Sequence, residues 1–404
     1  MLSTIIFILT YIGVAIGRVP GLVIDRVGIA LLGAIAMVVF GIVTMENAVA
    51  AVDFPTILLL YALMVVSAQL RLGGFYTWSV SKILNLLPRP RLFLLVSMIV
   101  SALLSAVLAN DIICFAFTPV LALSLNRAGL NPMPFLIGLA VSSNIGSAAT
   151  LIGNPQNMLI GQVGKLHFAQ FFLWCAPPSI ISLLGSYLIL LAFYRKKMNL
   201  HQPVASQVAE EAWPVFNIWW STKGLASIVI LVILFLTPIP REISAMAVSG
   251  ILLCSRKLKT RSILGLIDWH LIILFCALFI VIEGISNGNY PKLVIEYLKS
   301  SGIDLHNLYI LAGVSAVLSN LVSNVPATML LLPFLDPTNP VEWYSLAVSS
   351  TFAGNLILIG SIANLIVAER ASPYGIAMTF KEHAVVGIPI TIFSLMVLFL
   401  WTWI

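Results

Sequence analysis

From Ala169 to Phe193 no side chain carries a charge. A run of that length matches the roughly 20 residues that an α-helix needs to cross a ~30 Å hydrocarbon core. It is one of ten apolar stretches that reach or approach a span, the others being 2–17, 27–44, 54–70, 134–166, 223–239, 242–255, 269–287, 343–369 and 383–403. Only 9% of the 404 residues are charged and 60% are hydrophobic, whereas a soluble domain carries about 25% charged residues. The chain therefore reads as an all-α polytopic membrane protein, multi-pass in a cell membrane of the bacterial inner-membrane type, with the lipid bilayer as its solvent. The net charge of +6 is then an orientation signal to be read loop by loop, not a nucleic-acid signal. Cys114, Cys175, Cys254 and Cys276 lie in or beside apolar runs without a CxxC, so neither a disulfide framework nor a zinc site is indicated. The N-terminal run lacks a basic lead and a small-residue cleavage motif, and reads as a first span rather than a leader.

Two charge-free arms, 92–108 and 112–125, flank the polar tip Ala109-Asn110-Asp111. An ionisable group at that depth is costly and faces a protein interior or a water-filled path. The pattern returns at Ser323-Asn324-Val325. In both copies a proline follows the asparagine by nine residues, Pro119 after Asn110 and Pro333 after Asn324. The second arm, 325–335, has eleven residues before Asp336. At a rise of 1.5 Å each it spans about 16 Å, half of the core. The expectation is about ten transmembrane spans plus two re-entrant hairpins, over 92–125 and 307–335, whose tips meet.

The longest apolar stretches, 134–166 and 343–369, are interrupted midway. The first holds Gly153-Asn154-Pro155-Gln156-Asn157 and aligns with Gly360-Ser361-Ile362-Ala363-Asn364 in the second. Each half runs three spans, hairpin, broken span, span. This gives a first repeat over 1–193, a polar cytoplasmic linker over 194–222, and a second repeat over 223–404. With the N-terminus outside, 17 of the 21 basic residues fall inside and only Lys165, Arg241, Lys292 and Lys299 outside, a bias that supports this topology. The first half then begins outside and the second inside, so the repeat is inverted. Segments 74–87 and 291–301 are too short and too polar to span and read as interfacial amphipathic helices.

Glycine and proline at mid-span free backbone groups, which hydrocarbon tolerates only inside protein or beside a water-filled cavity. Interrupted segments at matching positions of two inverted halves point to a transport site. Half-helix N-termini attract anions and freed carbonyls coordinate cations. The candidate substrate- and ion-binding residues are Asn110, Asp111, Asn144, Gly153, Asn154, Asn157, Ser323, Asn324, Asn355, Gly360, Ser361 and Asn364, with a sodium ion expected near Asn110, Asn154, Asn324 and Ser361. Asn320 reads as structural. Asp111 reads either as a cap on the second arm or as a group that binds a cation or takes up a proton. Glu283 and Glu369, near the ends of their spans, read as interface residues. The five histidines lack metal-ligand spacing, and no Ser-His-Asp grouping or HExxH is present, so neither a metal centre nor an enzyme is expected. Only Na⁺ or H⁺ as a coupling ion takes the place of a cofactor. The reading is a secondary active transporter of a small anion, driven by a sodium or proton gradient. The alternatives are a Na⁺/H⁺ antiporter of the same fold and, behind it, a channel or membrane enzyme.

These residues resemble the ion transporter superfamily, which includes divalent anion/sodium symporters, citrate transporters, arsenite permeases and sodium/proton antiporters of the same fold. Asn110 and Asn324 sit where the family has Ser-Asn-Thr tips. Gly153-Asn154-Pro155-Gln156-Asn157 is similar to its Gly-Thr-Pro-Pro-Asn break. Asn110-Asp111 followed by Thr118-Pro119 is closer to the arsenite-permease branch. The resemblance implies a scaffold domain, a mobile transport domain moving like an elevator, and a homodimer. The family's tip threonine is Asp111 in one copy and Val325 in the other, which turns the expectation away from a dicarboxylate and toward proton or cation coupling.

Overall fold

The computed structural model describes residues 2–17, 21, 23–198, 214–255, 257–286, 300 and 302–403. Its regular elements are helices, in the order α1 (Leu2–Ile16), α2 (Arg26–Val39), α3 (Met45–Ala51), α4 (Phe54–Leu72), α5 (Phe75–Ile83), α6 (Pro90–Val107), α7 (Asn110–Arg127), α8 (Met133–Ser147), α9 (Pro155–Val163), α10 (Phe168–Tyr194), α11 (Ile218–Phe235), α12 (Arg241–Leu253), α13 (Thr260–Leu264), α14 (Trp269–Ser286), α15 (Leu308–Val322), α16 (Asn324–Leu331), α17 (Pro340–Ala353), α18 (Ile362–Ala371) and α19 (Phe380–Trp401). Among the described residues six helices are long and apolar enough to cross a bilayer: α4, α6, α10, α11, α14 and α19. The shorter apolar ones include α1, α2, α8 and α15.

Each expected span has its helix, with ends shifted by a few residues. The largest shifts are five residues: α2 stops at Val39, and α11 starts at Ile218, capped by Asn217, before the apolar run. The interfacial segment 74–87 forms α5 and a 3-10 turn over Leu84–Leu86. Of its expected counterpart, 291–301, only Ser300 is among the described residues, and the linker interior, 199–213, lies outside them.

Helix pairings recur between the halves. α2 packs on α14 as α12 packs on α4, α1 on α14 as α11 on α4, and α6 on α8 as α15 on α17. α10 and α19, equivalent in element order, pack on each other. The two broken stretches split as their sequences require. α8 ends at Ser147 and α9 starts at Pro155, whose missing N–H suits the first helical position. Between them residues 148–154 leave the helix. In the second half α17 ends at Ala353, a 3-10 turn covers Leu358–Gly360, and α18 begins after Ser361.

Glycines allow the tight seams. A Cβ at Gly146 would lie 2.3 Å from the Ala102 carbonyl oxygen, and one at Gly153 would lie 2.3 Å from that of Ser147. Both obstacles are backbone. α6 thus presses main chain to main chain on α8, and the break folds back on the end of the helix it interrupts.

Candidate transport site

Four helices begin at one point. Asn110 and Asp111 open α7, Pro155 and Gln156 open α9, Asn324 and Val325 open α16, and Ser361 and Ile362 open α18. All eight line one small cavity of about 20 Å³, together with Ser323 and with Leu271 of α14. Each helix start has backbone N–H groups without a partner in its own helix, and the positive end of its dipole. Four of them converging make a polar, electropositive centre inside an otherwise apolar body.

The tips are fastened to the breaks in matching ways. The Asn110 N–H donates to the Gly153 carbonyl at 3.1 Å. With its amide oriented to donate, Asn324 reaches the Gly360 carbonyl at 3.1 Å and the Ser350 carbonyl at 3.2 Å. Ser143 Oγ donates to the Asn110 carbonyl at 3.0 Å. Each hairpin therefore ends at the middle of the broken helix in its own half. α6, at 18 residues, is about 27 Å long and could span by length alone; its tip is nonetheless held at a break.

Behind the cavity the asparagines divide into two roles. Asn157 donates to the Ser147 and Thr150 carbonyls at 3.2 and 2.9 Å. Asn364 donates to those of Gly354 and Ile357 at 2.8 and 3.2 Å. Both occupy the acceptors that helix interruption leaves open. Asn154 caps α9 through the Asn157 N–H at 2.8 Å, and Ser361 caps α18 through the Ala363 N–H at 3.2 Å. Asn144 joins the halves: its oxygen accepts from Asn110 and Ser361, each at 3.0 Å, and its nitrogen donates to Asn355 at 2.9 Å and Asn364 at 3.2 Å. Asn144, Asn154, Asn157, Asn355 and Asn364 are fully buried, one layer away from the open space. Asn320 bonds the Ala316 and Ala353 carbonyls, both at 2.9 Å.

Of the twelve candidates, Asn110, Asp111, Ser323, Asn324 and Ser361 line the cavity; the other seven form its backing. The lining also includes Gln156 and Leu271. Gln156 shares the Thr351 hydroxyl with Asn154, both at 3.3 Å. The proline at the first position of α9 was the available signal for Gln156: the polar residue after it must face the break. Leu271 carried none, since an apolar residue in an apolar span is indistinguishable from its neighbours.

Asp111 is the acidic group of the lining. It does not act as a cap: α7 follows Ala109 with no side-chain hydrogen bond to its first turn. Asn110 Oδ1 is also buried without a protein donor, so two oxygen-bearing groups at this tip are left for something else. Ser323 stands in a strained backbone conformation, φ 77° and ψ 159°, at the turn from α15 to α16. A second cavity, of about 480 Å³, shares Leu271, Ser323, Val325 and Ile362 and extends to Asp25, Arg26, Asp268, His270 and Glu369.

Paired tips, two interrupted helices and four helix starts around one pocket define a membrane transporter built around a central site. A family model described as citrate transporter matches residues 5–353, and the chain belongs to that family. The silicon efflux transporter LSI3 of Oryza sativa subsp. japonica is 28% identical, with 93% of this chain and 91% of that protein aligned. The inner membrane protein YbiR of Escherichia coli (strain K12) is 30% identical, with 83% and 85% aligned. Among solved structures, the Alcanivorax borkumensis YdaH transporter, described as having an unusual topology, matches with a TM-score of 0.61 at 12% identity, covering 100% of this chain and 96% of that one. The likeness to YdaH is one of fold. The protein is accordingly a membrane-resident transporter and not an enzyme.

Proposed function

We propose that the protein is a secondary active transporter that moves a small anion, an inorganic oxyanion or a carboxylate, coupled to a Na⁺ or H⁺ gradient. The convergence of four helix N-termini on the Asn110–Asn324 pocket is the observation that supports this reading. Such an arrangement attracts negative charge. Asp111 sits in the same field, so a substrate anion and an ionised Asp111 oppose each other. Protonating Asp111, or placing Na⁺ against its carboxylate and Asn110 Oδ1, removes that conflict and links substrate binding to the coupling ion.

The pocket's volume, about 20 Å³, is near that of one water site. It favours a compact substrate, or a larger one that extends into the neighbouring 480 Å³ cavity. That cavity has Arg26 and Glu369 in its wall, on the side to which the basic-residue bias assigns the cytoplasm. We read the state as inward-facing. In this reading 1–193 and 223–404 are inverted repeats joined by a linker over 194–222. The hairpins with α8, α9, α17 and α18 form the moving body, and α1, α2, α4, α11, α12 and α14 form the scaffold of a homodimer.

Uptake into proteoliposomes under imposed sodium or pH gradients tests the proposal. An anion accumulated against its gradient, with Asp111→Asn losing the gradient dependence, is the expected result. Indifference to both gradients across inorganic oxyanions and carboxylates overturns it. A second reading, a Na⁺/H⁺ antiporter, draws on the absence of any basic side chain from the pocket lining among the described residues. Sodium-driven proton flux without any anion, lost in Asp111→Asn, selects it.

A further inference from the structure

A third cavity, of about 520 Å³, lies where α10 ends and α19 begins, closed off by the turns at 131–133 and 375–377. The two helices pack on each other, and the basic-residue bias assigns this end of the pair to the cytoplasm. Lys197, just past α10, and Lys381, in the first turn of α19, stand in its wall. The Asn131 N–H donates to the Met198 carbonyl at 3.0 Å, which fixes the chain carrying Lys197 onto the turn before α8. Asn131 and Tyr194 add an amide and a phenol to the polar side. Glu382 is the acid of the wall, and its carboxylate is occupied: it accepts from the Thr379 N–H at 3.0 Å and from Thr379 Oγ1 at 2.8 Å, capping its own helix. Neither lysine ammonium has an ion pair or hydrogen bond among the described residues.

The opposite side of the cavity is apolar and open. Phe193 and Val385 line it while being 45% and 47% exposed. From Val385 an exposed row continues along α19 through Ile388 and Ile392, at the three- and four-residue spacing of one helix face. In a membrane-spanning helix such a row lies against hydrocarbon chains. A free anion gains nothing from that side. An occupant that uses both sides has an anionic head and an apolar tail. Basic pockets between helices at the cytoplasmic surface bind the headgroups of anionic lipids. We infer that this cavity seats an anionic phospholipid, its phosphate between Lys197 and Lys381 and its acyl chains along Phe193 and the Val385 face of α19. The two lysines outweigh Glu382, so a lipid of net negative charge is selected over one whose phosphate is neutralised by choline. The site is defined without reference to transport, and its failure leaves the proposed function untouched.

The test titrates the purified full-length protein, in detergent at constant ionic strength, with dioctanoylphosphatidylglycerol and reads bound lipid by native mass spectrometry. Saturable binding is expected, about tenfold or more tighter than that of dioctanoylphosphatidylcholine. Lys197→Gln and Lys381→Gln should each weaken phosphatidylglycerol by about fivefold, and the pair by about thirtyfold, with phosphatidylcholine little changed. Lys82→Gln and Lys223→Gln are the controls: each lysine stacks on a tryptophan, Trp78 and Trp219, outside this cavity, and each variant binds as the parent does. Should a lysine variant fail to fold, Val385→Trp carries the test. It fills the apolar side from an exposed position, and binding of both lipids falls. Equal binding of the two lipids, or phosphatidylglycerol binding that neither the lysine variants nor Val385→Trp alter, overturns the inference. So does inorganic phosphate that binds alone, depends on the same lysines and displaces the lipid, since the cavity is then a free-anion site.

Discussion

Asn144 of α8 and Ser361 of the second break share a hydrogen bond of 3.0 Å across 217 residues of sequence. The same Asn144 oxygen holds Asn110 of the first tip, so one amide couples a hairpin of one half to the interrupted helix of the other. The site is a single body made from both repeats, and its integrity depends on residues that do not touch the open pocket.

Asn144→Ala removes four side-chain partners at once, stranding the amide of Asn110, the hydroxyl of Ser361 and the oxygens of Asn355 and Asn364 in a buried layer. Groups so stranded are destabilising, and the expected loss is about 2–4 kcal/mol. Thermal unfolding of the purified variant reads the loss, and uptake falls in parallel. A parental melting temperature together with normal uptake contradicts the joining role.

Ser323 adopts φ 77°, where a Cβ is unfavourable and glycine is at ease. A non-glycine residue held there costs on the order of 1–3 kcal/mol. Ser323→Gly is expected to raise stability by about 1 kcal/mol, part of the relief being cancelled by greater freedom of the unfolded chain. Transport should slow, because a relaxed tip holds Asn324 and Val325 less firmly against the pocket. Melting curves paired with initial uptake rates check both signs.

Gly153 and Gly360 are equivalent in sequence but not in tolerance. A Cβ at Gly153 meets the backbone of Ser147 at 2.3 Å, whereas at Gly360 the nearest atom is a side-chain oxygen, Asn320 Oδ1, at 2.6 Å, and the nearest backbone atom, the Gly354 oxygen, is 3.1 Å away. Gly153→Ala is expected to cost about 3 kcal/mol or more and to lower the folded yield, with Gly360→Ala milder. Size-exclusion profiles of the two variants expressed side by side compare them directly.

Arg241, at the start of α12, donates to the carbonyls of Leu166 at 3.1 Å and Gly161 at 2.5 Å and to Gln162 Oε1 at 3.1 Å. Gln162 in turn donates to Glu242 at 3.0 Å. This clamp ties the proposed scaffold to the end of α9, on the side that the basic-residue bias assigns to the outside. Arg241→Gln is expected to favour the outward-facing state by about 1.4 kcal/mol or more, a tenfold shift in population. A cysteine placed at Val325, with the four native cysteines replaced, reports it. Labelling by a membrane-impermeant thiol reagent from outside should accelerate by about that factor. An unchanged rate argues against the clamp.

Much of this was legible in the sequence, for identifiable reasons. Asn110, Asn324, Gly153 and Pro155 stand out because polar and helix-breaking residues are rare in apolar runs, and their positions marked tips and breaks. What each asparagine does was not legible. Asn157 and Asn364 bond carbonyls freed by their own half's break, while Asn110 and Asn324 face the cavity, and nothing local distinguishes the two uses. The meeting of four helix starts is a tertiary fact. So is the clamp: by sequence Arg241 is one of four basic residues assigned to the outside. Phe115, which stacks against the Arg71 and Arg370 guanidinium groups, lies in an apolar arm where nothing local sets it apart.

The close approach of α6 to α8 at Gly146 bears on how such a protein can open. With main chain against main chain there, and with the tip knotted to Gly153, the first hairpin has no slack to lift like a flap. In the transport cycle we propose, hairpin and broken helix are carried together past their neighbours, as a turnstile passes its whole arm. A substrate in the proposed pocket would then travel with walls that do not rearrange around it.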